Sequence, residues 1–329
     1  MACRREWWSA SLSKLDYWTI LEASLPVYLV IATGLILRRV GLFPKELDPG
    51  MMRLIINVLY PALILDSLLG NEALTKLGTI ASAAASGFAL ILIGFGIGYV
   101  TALLVGMRRS DGLRTFSLAI GIQNYGFIPI PIISTLFASK ATMGVLFMHS
   151  LGVELALWTV GVAILTGLGK APWKLLFNAP IIAILAGLSI NLVGGSRLIP
   201  ESANTAIAML GACSIPLSLL LIGAAISDLI SGGDWLKPYR RPIAACIVRL
   251  VIMPAVFIAF AKFVPVGLEL KRVLAVQAAM PCALMPIVLA RHYGGHVATA
   301  VQVIVATSLV SIFTIPAVIG IAMRILELE

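Results

Sequence analysis

The sequence predicts an all-α polytopic membrane protein: ten transmembrane helices in two inverted five-helix repeats, with broken helices four and nine crossing at the centre. Three observations lead there. Of 329 residues, 60% are hydrophobic and only 12% charged, with a mean hydropathy of +1.03; a soluble chain carries about 25% charged residues. The apolar residues gather into ten runs, each near the roughly 20 residues a membrane span needs. Prolines inside those runs recur at nearly constant offsets between the two halves. The composition alone excludes a soluble enzyme, a disordered tail and a secreted disulfide scaffold.

The runs cover 19–37, 51–69, 78–105, 115–138 and 141–165, then 176–195, 202–226, 242–264, 272–291 and 297–323. Ahead of them, residues 1–18 read as a short interfacial segment anchored by Trp7, Trp8, Tyr17 and Trp18, because aromatic rings favour the headgroup level. The first run has full span length and no small-residue cleavage pattern before Arg38 and Arg39, so it is not a secretory signal. The first repeat spans 19–165, a hinge loop 166–175, the second, inverted repeat 176–323, and a tail 324–329. Gly169, Lys170, Ala171, Pro172 and Trp173 make the hinge polar. No extramembrane domain fits between the spans.

The net charge of +9 in a soluble chain would suggest nucleic acid. Here the cations stand at the ends of apolar runs, as in Arg38–Arg39, Arg108–Arg109 and Arg240–Arg241, where topology determinants belong. No nucleic-acid partner is expected; the partner is the bilayer. Loops after odd-numbered spans hold 13 Lys and Arg, the other inter-span loops 6, or 10 with both tails added. The positive-inside rule then puts both termini on the non-cytoplasmic face of a cell membrane, plasma or inner. Four cysteines (Cys3, Cys213, Cys246 and Cys282) include no CxxC, and the last three read as small core residues.

Pro26 and Pro180, in spans one and six, are 154 residues apart; Pro61 and Pro216, in two and seven, 155; Pro129 and Pro286, in four and nine, 157. A proline removes a backbone hydrogen bond, which lipid tolerates only where protein or water satisfies the freed group. Five spans per half is an odd number, so a duplicated unit enters the membrane from the opposite side. Inverted repeats of this kind are typical of secondary transporters. Chance alignment of transmembrane prolines is the competing reading.

Spans four and nine are the most interrupted. Span four contains Gln123, Asn124, Tyr125, Gly126, Pro129 and Pro131; span nine contains Gln277, Met280, Pro281 and Pro286. Paired prolines with amides at mid-depth do not continue an ordinary helix, and corresponding interruptions in two halves point to a transporter's binding site. Two half-helix N-termini facing one point, each with about half a positive charge, favour an anion there. The candidate substrate site is therefore Gln123, Asn124, Tyr125, Gly126 and Pro129 with Gln277, Met280, Pro281 and Pro286, the anion between Asn124 and Pro281. Proline kinks made only for packing are the alternative.

The run Asn124-Tyr125-Gly126-Phe127 with Pro129 or Pro131 resembles the first signature of the auxin efflux carrier family of permeases. Met280-Pro281, the stretch Ala290 to Gly295 and Ile315-Pro316 resemble its second, and Asn57 to Ala62 in span two also matches. The chain resembles a compact bacterial-type member of the bile-acid/auxin transporter superfamily. The resemblance implies a ten-helix fold in which a scaffold bundle and a panel bundle alternate access around crossed helices. It also implies a cargo such as malate, malonate or a similar organic anion. The long cytosolic loop of plant auxin carriers has no counterpart in the short hinge.

Of the ionisable residues within spans, Asp66, Glu154 and Arg249 are singled out. Each is costly in hydrocarbon, so each is expected to face the interior or a partner. Arg249 has three candidate partners: Glu154, Asp66 or an anionic substrate. His149 precedes Glu154 by five residues, about 140° around a helix, so the two need not touch; either is a candidate proton relay. His292 and His296 are separated by Gly294-Gly295, read as the turn joining spans nine and ten, and no HExxH is present, so no metal is expected. Gly94 to Gly98 is a GxxxG pattern, a close helix contact within the chain or in a homodimer. No phosphate-binding GxxxxGK[ST] or nucleophile GxSxG is present, so no cofactor and no enzyme activity are expected. The reading is a secondary carrier for a small organic anion, coupled to protons or sodium. Its rivals are a membrane-embedded enzyme, which needs converging His, Asp or Ser, and a sensor, which normally carries a soluble output domain.

Overall fold

The computed structural model describes residues 17–166, 177–231 and 238–328. Among them every regular element is a helix. In chain order these are α1 (Tyr17–Arg39), α2 (Lys45–Leu68), α3 (Leu77–Leu104), α4 (Leu113–Gly121), α5 (Pro129–Phe137), α6 (Lys140–Thr166), α7 (Ala179–Leu192), α8 (Glu201–Ser231), α9 (Arg240–Phe263), α10 (Leu268–Ala278), α11 (Met285–His292) and α12 (Val297–Ile325). Seven of these, among the described residues, are long and apolar enough to cross a membrane: α1, α2, α3, α6, α8, α9 and α12. The expected span four is the pair α4 and α5, and span nine is the pair α10 and α11. The hinge, Trp7 and Trp8 lie outside the described residues.

One of the ten expected runs is corrected. Span six is a helix of only 14 residues. Asn178 starts it late, its side chain accepting the Ile181 N–H at 3.0 Å, and Gly194 at φ +71° turns the chain away beyond its end. Pro180 therefore sits in the first turn, where its missing N–H costs nothing, whereas Pro26 lies inside α1. Pro61 follows a π turn at Ile55–Leu59 that widens α2 around it, while Pro216 lies within α8 with no such turn. The first two proline pairs thus share an offset but not a local geometry. Pro129 and Pro286 share both, each opening a short helix after a break.

Two groups of helices emerge from the packing, joined where α12 and α5 pack on α1 and α6 on α2. α1 lies along α8, and α2 packs on α7 and α8. α3 packs between α4 and α6, α9 against α10 and α12, α4 against α12, and α10 against α6. Matching α1–α6 in order with α7–α12 exchanges these pairs: α1–α8 with α7–α2, α3–α4 with α9–α10, and α4–α12 with α10–α6. Loops bond by parity as well. After odd spans, Thr299 Oγ1 donates to Asp111 O at 3.2 Å, the His296 N–H to Thr115 Oγ1 at 2.9 Å and Arg114 to Leu165 O at 3.4 Å. After even spans, Asn71 Nδ2 donates to Lys140 O at 2.6 Å and Asn191 Nδ2 to Asn71 O at 2.9 Å.

The GxxxG pattern is used within the chain. A Cβ on Gly94 would stand 2.8 Å from Gly121 Cα, and one on Gly98 3.0 Å from Ser117 Cα, so these glycines let α3 touch α4. Cys282 is buried as expected, but Cys213 is exposed on α8, facing away from the packed interior.

Candidate functional site

α4 and α10 each stop short, and the reason is local. α10 cannot propagate through Pro281, since a proline supplies no N–H and its ring crowds the preceding turn; α4 ends already at Gly121, and Pro129 opens the next helix after the break. Ile122 leaves α4 in an extended conformation, φ −99° and ψ 107°. The backbone groups this frees must find partners, and they find one another. The Asn124 N–H donates to Pro281 O at 2.8 Å, and the Ala283 N–H donates to Ile122 O at 2.9 Å. Gln123 and Cys282 thereby face each other in a single antiparallel bridge, and the two broken helices cross there.

Neighbouring helices complete the junction. Gln277 Nε2 donates to Tyr125 O at 3.0 Å, and Ser150 Oγ to the same oxygen at 3.4 Å. The Cys282 N–H donates to Thr307 Oγ1 on α12 at 3.3 Å. Arg249 Nε on α9 donates to Met280 O at 2.9 Å. Asn124 Oδ1 accepts the Ile128 N–H at 3.3 Å, bracing the residue just before α5. Asn124 and Pro281 thus meet directly through their backbones.

The junction keeps unused hydrogen-bonding capacity. Gln123 is fully buried, yet neither amide atom has a protein partner; the same holds for Gln277 Oε1 and for Arg249 Nη1 and Nη2. Buried polar groups are paired in the great majority of cases; Gln123 and Arg249 each carry two such atoms, where every other affected residue among those described carries one, and Gln277 adds a fifth to the junction. Met280, Pro281 and Pro286 are buried beside them. On the other flank, Tyr60 of α2 packs on Phe127 with ring centroids 5.4 Å apart, and a Cβ on Gly126 would stand 3.0 Å from the Tyr60 hydroxyl. The crossover therefore abuts the α1–α2–α7–α8 group.

A family model described as membrane transport protein matches residues 19–171 and 163–319. The chain belongs to this family. Its members are auxin efflux carrier-like permeases, in agreement with the resemblance of the signature residues. A protein of Methanothermobacter thermautotrophicus, named an uncharacterized transporter, is 25% identical over 306 residues, which cover 90% of this chain and 96% of its own. This family member is accordingly a multi-pass membrane transporter.

The ionisable residues of the permease are not gathered into one cluster. Glu154 accepts from Tyr125 OH at 2.5 Å and from Trp158 Nε1 at 2.6 Å, so it ties α6 to the crossover. His149 Nδ1 faces Ser86 Oγ at 3.0 Å, apart from Glu154. Asp66 lines two adjoining clefts of about 330 Å³ each between α2, α5, α6 and α8. Lys140 stands in both, Arg197 in the first, and Ile130, next to Pro129, in the second. Among the described residues neither Glu154 nor Asp66 forms an ion pair with Arg249. Those two expected partners of Arg249 are therefore corrected. Sequence reasoning missed Trp158, Ser150 and Thr307. Trp158 had a signal, standing four residues after Glu154 on one helical face; the other two had none.

Proposed function

We propose that this permease is a secondary active transporter, not an enzyme, moving a small organic anion such as a dicarboxylate by alternating access at the crossover. The observation that carries the reading is the antiparallel contact of two broken helices, ringed by buried donors with no protein partner. Binding groups with unmet hydrogen-bond capacity gain more from a polar cargo than satisfied ones do. Gln123, Asn124, Tyr125 and Gly126 with Gln277, Met280 and Pro281 form the cargo's surroundings, and Pro129 and Pro286 start the half-helices that lend positive potential.

Alternating access needs two bodies. The reading takes α1, α2, α7 and α8 as one and the remaining helices as the other, with the cleft from Lys140 to Ile130 as one route to the crossover. The exchange of packing pairs between α1–α6 and α7–α12 supports two inverted repeats, 19–165 and 176–323. Like-parity bonding of the loops supports ten crossings. The cation asymmetry favours both termini on the non-cytoplasmic face of the cell membrane. Coupling is to protons or sodium, with Glu154, Asp66 and His149 as the candidate carriers.

The test is uptake into proteoliposomes of labelled malonate, malate and succinate, under an imposed proton or sodium gradient. Saturable uptake that accelerates with unlabelled anion on the opposite side is the expected result, driven by one of the two gradients. Folded protein that moves none of the three above protein-free vesicles overturns the anion carrier. Single cysteines placed after Met1 and before Glu329 test the topology; labelling of either from the cytosol alone overturns it.

A further inference from the structure

Among the described residues, Arg249 is the one charged residue that is fully buried without a counter-ion. It stands on the π turn Val248–Ile252 of α9, where the wider turn directs the side chain toward the crossover. Its nitrogens are treated unequally. Nε is spent on Met280 O at 2.9 Å, while Nη1 and Nη2 are sealed from solvent with no protein acceptor. The guanidinium carbon lies 5.7 Å from the centre of the Phe257 ring, whose π face compensates only a small part of a full charge. A guanidinium does not shed its proton to escape burial. Such a cation needs an anion.

A second, independent feature sits beside it. Gln123 is buried with both amide atoms unpartnered, and its backbone pairs with Cys282, two residues from the carbonyl that holds Arg249. Both side chains thus flank the stretch Met280–Cys282. Two parallel N–H groups on a rigid fork match the two oxygens of a carboxylate, and an adjacent amide orients it.

We propose that Nη1 and Nη2 of Arg249 are the fork that receives the carboxylate of the transported anion, with Gln123 as its orienting neighbour. This rests on the anion-carrier reading for the identity of the cargo; the fork itself rests on the geometry. Nε holds Met280 O throughout, so the fork moves with the crossover. Of the carboxylates in the chain, none competes for it in the described structure, which leaves the fork for cargo.

Thermal unfolding of the purified protein in detergent tests the fork directly. Malonate, acetate and chloride are each titrated at an ionic strength fixed with a bulky sulfonate salt. Malonate is expected to raise the wild-type melting temperature saturably, and chloride at equal concentration much less. Arg249→Met is expected to melt at or above the wild type and to show no malonate shift. Arg249→Lys keeps the charge but loses the fork, and is expected to need at least tenfold more malonate. A wild type indifferent to malonate, a chloride shift equal to the malonate shift, or an Arg249→Met shift equal to the wild type's overturns the fork. If Arg249→Met does not fold, the wild-type titration and Arg249→Lys decide alone. Proteoliposome uptake separates this inference from its premise. Malonate uptake by the wild type with an unchanged KM in Arg249→Lys overturns the fork and leaves the carrier standing. A malonate shift lost in Arg249→Met, with no anion moved by the wild type, supports the fork and removes the carrier.

Discussion

Two arginines are enclosed by this fold, and they are handled in opposite ways. Arg38, at the end of α1, has both terminal nitrogens hydrogen-bonded and two carboxylates within ion-pair distance. Nη2 meets both Asp48 oxygens at 2.6 Å, Nη1 donates to Phe43 O at 2.7 Å, and Nε lies 3.4 Å from Asp228 Oδ1. Phe43 also stacks beneath it at 5.2 Å. Those partners belong to α2, α8 and the loop between α1 and α2, all in one helix group, so the proposed rocking between groups would leave them intact. Arg249 belongs to the other group, touches the crossover and has a single protein bond. The difference separates two uses of a buried cation. One whose charge is met by its own fold is a staple; one with donors left over is a receptor.

The sharpest way to break that comparison is to replace each arginine by methionine. Arg38→Met leaves Asp48 and Asp228 facing each other without their cation. Removing one partner of a buried pair costs about 3–5 kcal/mol; the two carboxylates here are about a third exposed, which trims the expectation to about 2–3 kcal/mol of stability. Arg249→Met removes an unmatched charge and is expected to cost nothing or to stabilise. Transport per folded molecule should show the reverse order, near normal for Arg38→Met and lost for Arg249→Met. Unfolding by heat or denaturant in one detergent compares the two; equal destabilisation would make Arg249 a second staple. Adding Asp48→Asn and Asp228→Asn to Arg38→Met should restore part of the loss, since no charge is then stranded.

Next in size is the charge at Asn124. Its Oδ1 accepts the Ile128 N–H just before α5, and an aspartate keeps that acceptor, so Asn124→Asp should fold. A new negative charge about 8 Å from a bound anion repels it by about 2 kcal/mol at an effective dielectric near 20, roughly thirtyfold in transport. Asn124→Ala loses only that hydrogen bond, about 0.5–1.5 kcal/mol of stability, and should transport better than Asn124→Asp at equal amounts in the membrane. If the aspartate variant carries the anion as well as the alanine variant does, the cargo lies far from the crossover and Arg249 loses its role.

How much of this was legible without coordinates follows from what each signal measures. Hydropathy reports composition, so it finds spans but not their ends. It therefore missed that Asn178 and Pro180 start α7 late, although a capping asparagine two residues before a proline is a readable helix start. Proline and amide content located the breaks at 122–128 and 279–284, because loss of N–H donors is a property of the residues themselves. Proline offsets were a weaker guide, since Pro26 and Pro180 answer different local demands. Nothing in sequence spacing could show that Met280 O would occupy only one edge of Arg249, or that Thr307 would meet Cys282. Those contacts depend on how α9 and α12 lie against the crossover, which is set by packing among all twelve helices.

Glu154 offers an intermediate case between the two arginines, a half-buried ionisable group with both oxygens engaged yet bonded to the crossover. Tyr125→Phe removes the donor at 2.5 Å and leaves Trp158. One hydrogen bond of this kind is worth about 1–2 kcal/mol, and the loss should divide between stability and transport, because Tyr125 also belongs to the junction. Trp158→Phe, on the far oxygen, should cost a similar stability and spare transport. A double-mutant cycle measures whether the two donors are coupled through Glu154. Equal loss of transport in both variants would show that Glu154 acts on the cargo as a unit with its donors.

The smallest effect tests whether proximity alone makes a staple. Lys45 Nζ lies 3.9 Å from Asp228 Oδ2, but its side chain is 75% exposed, against 8% for Arg38. Water screens an exposed pair at that distance, and holding a long lysine side chain in one rotamer opposes the gain, so such pairs contribute about 0–1 kcal/mol. Lys45→Ala is therefore expected to change stability by no more than about 0.5 kcal/mol and to leave transport unaltered. The residual effect should shrink further in high salt, since the Debye length falls to about 3 Å at 1 M. Denaturant unfolding at two salt concentrations reads both quantities. A loss above about 1.5 kcal/mol would mean that Asp228 is held by Lys45 as much as by Arg38, and the completeness of the Arg38 site would no longer explain its contrast with Arg249.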